Sequence, residues 1–233
     1  MGVNSVSPKI RVAILDDHQG IIDGYLYRLG NHPRIEIVGT ASYGEDLESI
    51  MAKTPVDVLL LDVSVPTSAE NSNIYPILHI IPSLLEIHSD LNILVISMHE
   101  ERRLISAVKE SGANGYILKD DQLVIRDLPN IIMEVANGGI FYSQKANEIL
   151  MKRGDEQEDS ILSPRQLEAL SLCASYPNKS SAQLARRMSI THSTIRNLLS
   201  GAYLKLDVQT RSAAVTKAQQ LGIISPPPPL FPN

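Results

Sequence analysis

IRVAILDD, residues 10–17, is an apolar run of strand length that stops abruptly at two adjacent carboxylates, Asp16 and Asp17. The same design returns three times. VDVLLLD, 56–62, ends at Asp62; NILVIS, 92–97, ends at Ser97; GYILK, 115–119, carries Lys119 just past its apolar residues. Ligands of open α/β folds bind outside the carboxyl ends of parallel strands. Three carboxylates, a hydroxyl and an ammonium gathered there would hold a divalent cation and a phosphoryl group. An Asp at one strand end is commonly a cap or a solvated loop residue; five such residues in this order make a site the better reading.

The runs predict strands at Arg11–Leu15, Ile35–Thr40, Val56–Leu61, Ile93–Ser97 and Gly115–Leu118. Three are nearly continuous in Val, Ile and Leu, as expected of strands buried on both faces. Helical periodicity falls between them, at about 19–30, 44–53, 74–88, 100–111 and 127–137. The fold expected is a five-stranded, doubly wound parallel sheet of flavodoxin type. A barrel would need about 250 residues for itself.

A different pattern starts at Leu162. Ser163, Pro164 and Gln166 read as N-cap, N1 and N3 of a helix with a capping box. Short helices are predicted next at about 181–188, 193–205 and 211–221, with a tight turn, SITHST, before the third of the four. That is the pattern of a helix-turn-helix unit. The division expected is 1–142 for the α/β unit, 143–160 for a helical and acidic linker, 161–224 for the helical unit and 225–233 for a Pro-rich, disordered tail.

Charge divides the same way. Residues 1–150 hold 11 Lys and Arg against 20 Asp and Glu, whereas 161–224 hold 8 against 2. An acidic half joined to a basic half points to different partners for the two. The single cysteine, Cys173, excludes an intramolecular disulfide and a Cys-rich zinc site. The six histidines, His18, His32, His79, His88, His99 and His192, lack metal-ligand spacing and are expected at the surface or in loops. No signal peptide or membrane span is visible, so the expected location is cytoplasmic, without a membrane partner.

Ionised Asp16, Asp17 and Asp62 would repel one another without a counter-charge. Mg²⁺ supplies one, since it accepts a few carboxylates and keeps waters. Asp62 could then attack phosphorus to give an aspartyl phosphate. Lys119 would neutralise phosphoryl charge, and Ser97 would donate to a phosphoryl oxygen.

The segments LDDH (15–18), LLLDVSVP (59–66), VISMH (95–99) and GANGYILKD (112–120) resemble the receiver domain of two-component response regulators. LSPR (162–165), LARRMSI (184–190), STIRNLLS (193–200) and LKLDVQTR (204–211) resemble the LuxR-type DNA-binding domain. Together they resemble the NarL/FixJ class of response regulators. The resemblance implies a non-enzymatic transcription regulator. It makes Asp62 the phosphoacceptor, Asp16 and Asp17 the metal-binding pair, and Ser64 a metal ligand through its backbone carbonyl. Ser97 becomes the switch hydroxyl, Lys119 the conserved ammonium of the family, and Tyr116 the switch aromatic. Its partners would be a sensor histidine kinase, DNA and, when active, a second copy of the chain.

On the helical unit, Thr194, Arg196, Asn197 and Ser200 face outward on the predicted third helix. Arg196 suits guanine and Asn197 adenine. The resemblance places Arg196, Asn197 and Ser200 at base-contacting positions. Arg186, Arg187, Lys205 and Arg211 are candidates for phosphate contact.

The chain also departs from the family pattern. The Asp62–Ser97 stretch is longer than usual, with the insertion in TSAENSNIYP, 67–76, and Ser64 stands where an acidic or Asn-like residue is common. The turn before the second helix is also longer than usual. Leu198 stands at a position usually polar, and Gly201 interrupts the third helix at a cost of about 1 kcal/mol relative to alanine. The alternative reading is a receiver that acts without phosphorylation, as a dimerisation or interaction module. An aspartyl-phosphate hydrolase is disfavoured, since no separate substrate pocket or cap is visible.

Overall fold

The computed structural model describes residues 8–152 and 161–226. Its first part runs β1 (Ile10–Leu15), α1 (Gln19–Leu29), β2 (Ile35–Ala41), α2 (Gly44–Lys53), β3 (Val58–Leu61), β4 (Pro66–Ser68) and β5 (Asn71–Ile74). It continues with α3 (Ile77–Ile87), β6 (Asn92–Ser97), α4 (Arg102–Glu110), β7 (Gly115–Leu118), α5 (Gln122–Arg126), α6 (Leu128–Val135), β8 (Phe141–Tyr142) and α7 (Gln144–Met151). Four helices follow: α8 (Pro164–Ser175), α9 (Ser181–Arg187), α10 (His192–Lys205) and α11 (Arg211–Gln220).

The main sheet is parallel, in the order β2-β1-β3-β6-β7-β8. Alternate residues of each strand enter opposite cores. Val12, Ile14, Val58 and Leu60 join α1 and α6 on one side. Ala13, Leu15, Leu59 and Leu61 join α2, α3 and α4 on the other. Burial on both faces explains why these runs contain almost no polar residue. Each such Val, Leu or Ile side chain contributes about 1.5–3 kcal/mol when fully buried.

The sheet has six strands where five were expected. The sixth is β8, two residues paired in parallel with β7, too short to leave a periodic signal. The insertion folds into a separate antiparallel hairpin, β4–β5. Tyr75 closes it, donating its backbone N–H to the Val65 carbonyl at 2.8 Å, so α3 begins at Ile77 rather than near 74. The Tyr75 ring lies over Gly44 at the start of α2, where an added Cβ would meet ring carbons at 2.1–2.5 Å. The Tyr75 hydroxyl donates to Glu48 at 3.0 Å.

In the helical part, α8 starts at the expected capping box, with both Ser163–Gln166 bonds formed. A second box, Ser180–Gln183, starts α9. Ser189 adopts a left-handed φ of 53°, turning the chain sharply into α10, which Thr191 caps. Helix α10 is unbroken through Gly201. Here glycine permits close approach to α8, since a Cβ would lie 2.7 Å from the Gln166 amide nitrogen, which the capping box holds in place.

The α7 helix packs against α4 and β7, so it belongs structurally with the sheet rather than hanging from it. The acidic segment 153–160 and residues 227–233 of the Pro-rich tail lie outside the described residues. The two parts of the chain share one contiguous apolar core. Helix α8 packs on α3, β5 and α4 as well as on its own neighbours α9, α10 and α11.

Candidate functional site

Strand order reverses between β1 and β3, and the crevice of a doubly wound sheet opens at such a point. Asp16 and Asp17 follow β1, and Asp62 follows β3. Lys119, just after β7, reaches into the same crevice. Its Nζ lies 2.7 Å from Asp16 Oδ2 and 2.8 Å from Asp62 Oδ2, with all three side chains almost entirely buried. The carboxylates are held by the backbone as well: His18 N–H donates to Asp16 Oδ1 at 3.0 Å, and Val63 N–H donates to Asp62 Oδ1 at 2.7 Å.

Burial pushes the Asp16 carboxyl above its ordinary value, and Lys119 pulls it back without cancelling the rise. Burial acts in the opposite sense on the Lys119 ammonium, but Asp62 and then Asp16 outweigh it and leave the lysine raised. The ammonium is thus committed to its charge and to this pocket.

Asp17 is exposed at the rim. Ligand atoms of Asp16, Asp17, His18 and Asp62 all lie within 4.8 Å of one another. Three hard carboxylates with an open side suit a small divalent cation that keeps part of its water shell. His18 was not expected among them. Its ring bonds Asp17 at 2.7 Å, a contact that metal-ligand spacing rules do not find between adjacent residues.

Ser97 is fully buried, and its Oγ accepts from the His99 N–H at 3.2 Å. The backbone of the same residue accepts from the Lys119 N–H at 2.9 Å. Tyr116 is buried too, and its hydroxyl donates to the His99 carbonyl at 2.8 Å. Ser64 pairs its Oγ with His99 Nε2 at 2.7 Å, and His99 Nδ1 lies 3.4 Å from Glu101. His99 therefore ties together Ser64, Ser97 and Tyr116. Sequence reading missed it, because a lone histidine beyond a strand end carries no spacing signal.

His79 corrects the expectation of surface histidines most clearly. It is buried on α3, its Nδ1 2.7 Å from Oε1 of Glu168 on α8. The partners are 89 residues apart, beyond any local pattern.

On the helical side, Thr194, Arg196, Asn197 and Ser200 are all exposed on α10, and Arg186 and Lys205 are exposed nearby in sequence. Arg187 instead stacks 4.0 Å over the Tyr176 ring. Arg211 bonds the Lys179 carbonyl at 2.6 Å and Ser181 Oγ at 2.8 Å, tying α11 to the turn before α9. Leu198 is half-buried and packs against the core, which accounts for an apolar residue at that position.

Comparison with known proteins agrees with this geometry. The family model described as the response regulator receiver domain matches residues 12–128. The transcriptional regulatory protein MctR of Rhizobium johnstonii is 28% identical over 94% of this chain and 97% of its own length. The nitrate/nitrite response regulator protein NarL of Escherichia coli is 28% identical over 90% of this chain and 94% of its own. The RcsB response regulator of Salmonella typhimurium shares the fold, with a TM-score of 0.55 at 24% identity, covering 90% of this chain and 97% of RcsB. RcsB from Salmonella enterica bound to promoter rprA in the presence of phosphomimetic BeF3- aligns at a TM-score of 0.60 and 22% identity, over 90% and 98% of the two chains. The chain belongs to the response regulator receiver family, as a response regulator of the NarL/FixJ class.

Proposed function

We propose that this protein is a DNA-binding transcription regulator switched by phosphorylation of Asp62. The observation that carries the reading is the convergence of Asp16 and Asp62 on Lys119, whose Nζ lies within 2.8 Å of each carboxylate at the switch point of the sheet, with Asp17 beside them. The division expected from sequence stands as part of this proposal, except that α7 is assigned to the receiver on the strength of its packing.

The Asp62 carboxylate attacks the phosphorus of a phosphohistidine on a partner kinase. An O–P bond forms and the N–P bond breaks, and the electron pair leaves with the imidazole, which takes up a proton. Mg²⁺, held by Asp16, Asp17, Asp62 and the Ser64 carbonyl, would supply charge neutralisation for the transferring group. Lys119 keeps its ammonium at the Asp62 oxygens, where it stabilises charge on the product. Ser97 donates its hydroxyl to the phosphoryl group and so changes what it offers to His99 N–H and to Tyr116 next to it. That change biases a two-state equilibrium of the receiver. A second copy of the chain then joins, and DNA half-sites mirror the two-fold axis of the dimer.

Arg196 and Asn197 read bases, with Thr194 and Ser200 beside them, while Arg186 and Lys205 contact phosphates. Arg187 and Arg211 have a second use inside the fold and reach phosphate only if they keep or exchange those bonds. Among the described residues no helix is long and apolar enough to cross a membrane. A cytoplasmic regulator paired with a sensor histidine kinase fits that finding.

Selection from a random duplex library tests the function. Wild type treated with acetyl phosphate and Mg²⁺ should enrich a shared motif and bind it about tenfold or more tighter than Asp62→Asn does. Equal affinity of the two would favour the phosphorylation-independent alternative. No enrichment by either would remove DNA from the reading.

A further inference from the structure

Helix α8 is buried from Gln166 to Cys173 and again at Ser175, on all its faces. A helix of a small four-helix unit keeps one face in water; burial all round places it inside a larger body. The face that would otherwise be wet carries Arg165, Glu168, Ser171 and Ser175, spaced as one stripe. Two of its residues, Glu168 and Ser175, bond the receiver. Glu168 takes the bond from His79 of α3 at 2.7 Å and a second from Arg165 at 2.8 Å. Ser175 Oγ donates to the Ile74 carbonyl of β5 at 2.5 Å, and the Ser175 carbonyl accepts from Asn71 Nδ2 at 3.0 Å. The turn after α11 lies against α4 as well: Arg103 reaches the Leu221 carbonyl at 3.4 Å, and a Cβ at Gly222 would lie 2.8 Å from Glu101.

These docking hydrogen bonds come from α8 and the turn after α11, and the end of α9, at Arg187 to Ser189, borders α3 across a shared cavity. The α10 residues Thr194, Arg196, Asn197 and Ser200 stay exposed in the same docked chain. The inserted hairpin is central to this arrangement. It leaves the sheet four residues after Asp62 and ends on α8, so the segment that departs from the family pattern holds the helical unit together with α3 and α4.

We propose that the β4–β5 hairpin and α3 form a clamp that holds the helical unit by α8, and that the chain engages DNA through α10 without undocking. The inference rests on the reading of α10 as the DNA-contacting helix. It makes the clamp a rigid mount rather than a mask. Phosphorylation then acts on how two mounted units are brought together, not on whether α10 is uncovered.

A mask would lower the affinity of the unphosphorylated chain in proportion to its undocked fraction, and loosening it would restore that affinity. A mount predicts no such gain. Hydrogen exchange on the unphosphorylated full-length wild type, with and without a saturating duplex, reads the difference directly. Saturation is verified by anisotropy on the same sample. Amides of α10 should slow on DNA, while those of β5, α3 and α8 stay as protected as in the free protein. Faster exchange in β5 and α8 on DNA would overturn the proposal.

Asn71→Ala/His79→Ala loosens the clamp from the receiver side. Its affinity for the duplex should stay within about fivefold of wild type, and a larger gain would mean that the clamp masks α10. Should that variant not fold, the wild-type exchange experiment still decides. Loss of all duplex binding by unmodified and phosphorylated wild type alike would instead strike the DNA reading itself, and is distinguished by the absence of any anisotropy change.

Discussion

Lys119 sits between two buried carboxylates, and its removal is the most informative single change in the pocket. Lys119→Ala leaves Asp16 and Asp62 buried together without their ammonium. Breaking a buried pair this way costs about 3–5 kcal/mol. Millimolar Mg²⁺ should recover part of the loss by supplying the missing charge. Urea unfolding of wild type and variant, each with and without Mg²⁺, checks both statements; an unchanged midpoint would contradict the first. Arg196 makes the matching case on α10. Arg196→Ala should cost about 1–3 kcal/mol on a selected site and relax preference at one base pair, whereas Lys205→Ala should weaken all duplexes alike and flatten the salt dependence by about one unit of slope. Anisotropy titrations over several salt concentrations separate the two. The pocket residues were legible in sequence because strand ends announce themselves by a switch from apolar to polar. His99 and His79 were not legible, because their partners are set by tertiary packing across many residues.

Among elements, the β4–β5 hairpin was visible in sequence only as extra length. Its strands, Pro66–Ser68 and Asn71–Ile74, are short and polar, and lack the alternation that marks a half-buried strand. What fixes it is contact: Tyr75 over Gly44 on one side and Ser175 on the other. Gly44→Ala should therefore force the Tyr75 ring out of place and destabilise the protein by about 1–3 kcal/mol, the usual range for overpacking. Thermal unfolding reads this, and a change near zero would show that the ring shifts at no cost. Helix α8 illustrates the opposite case. Its start was predicted correctly, because Ser-Pro-x-Gln encodes the cap locally. Its surroundings were not, although the stripe Arg165, Glu168, Ser171, Ser175 was open to reading as a second contact face. Polar residues on a short helix are ordinarily left to solvent, and only the partners His79, Asn71 and Ile74 show otherwise.

For the whole molecule, the acidic and basic halves were legible as two units, but their union through a common core was not. Charge counts describe surfaces, and the docking face is largely apolar with a few satisfied polar groups. The union should depend on pH through Glu168. Burial alone would raise Glu168, but the bonds from His79 and Arg165 outweigh it and hold the carboxyl below its ordinary value of 4.5. A depressed acid contributes stability that is present above its unfolded value and lost as pH falls through its folded one. The docked arrangement should thus hold at neutral pH and loosen progressively below about 4.5. Small-angle scattering from pH 7 downward follows it, and Glu168→Gln should remove most of the acid dependence. An equal acid response in that variant would place the sensitive group elsewhere.

The proposed acceptance of a phosphoryl group by Asp62, in a pocket lined by Asp16, Asp17 and Lys119, can be read from the mass of the intact protein. Wild type and Asp62→Asn are incubated with acetyl phosphate and Mg²⁺, and the intact masses are compared. Wild type should gain one phosphoryl group, removed by hydroxylamine as an acyl phosphate, and Asp62→Asn none. Unmodified wild type, or equal modification of both proteins, would contradict it.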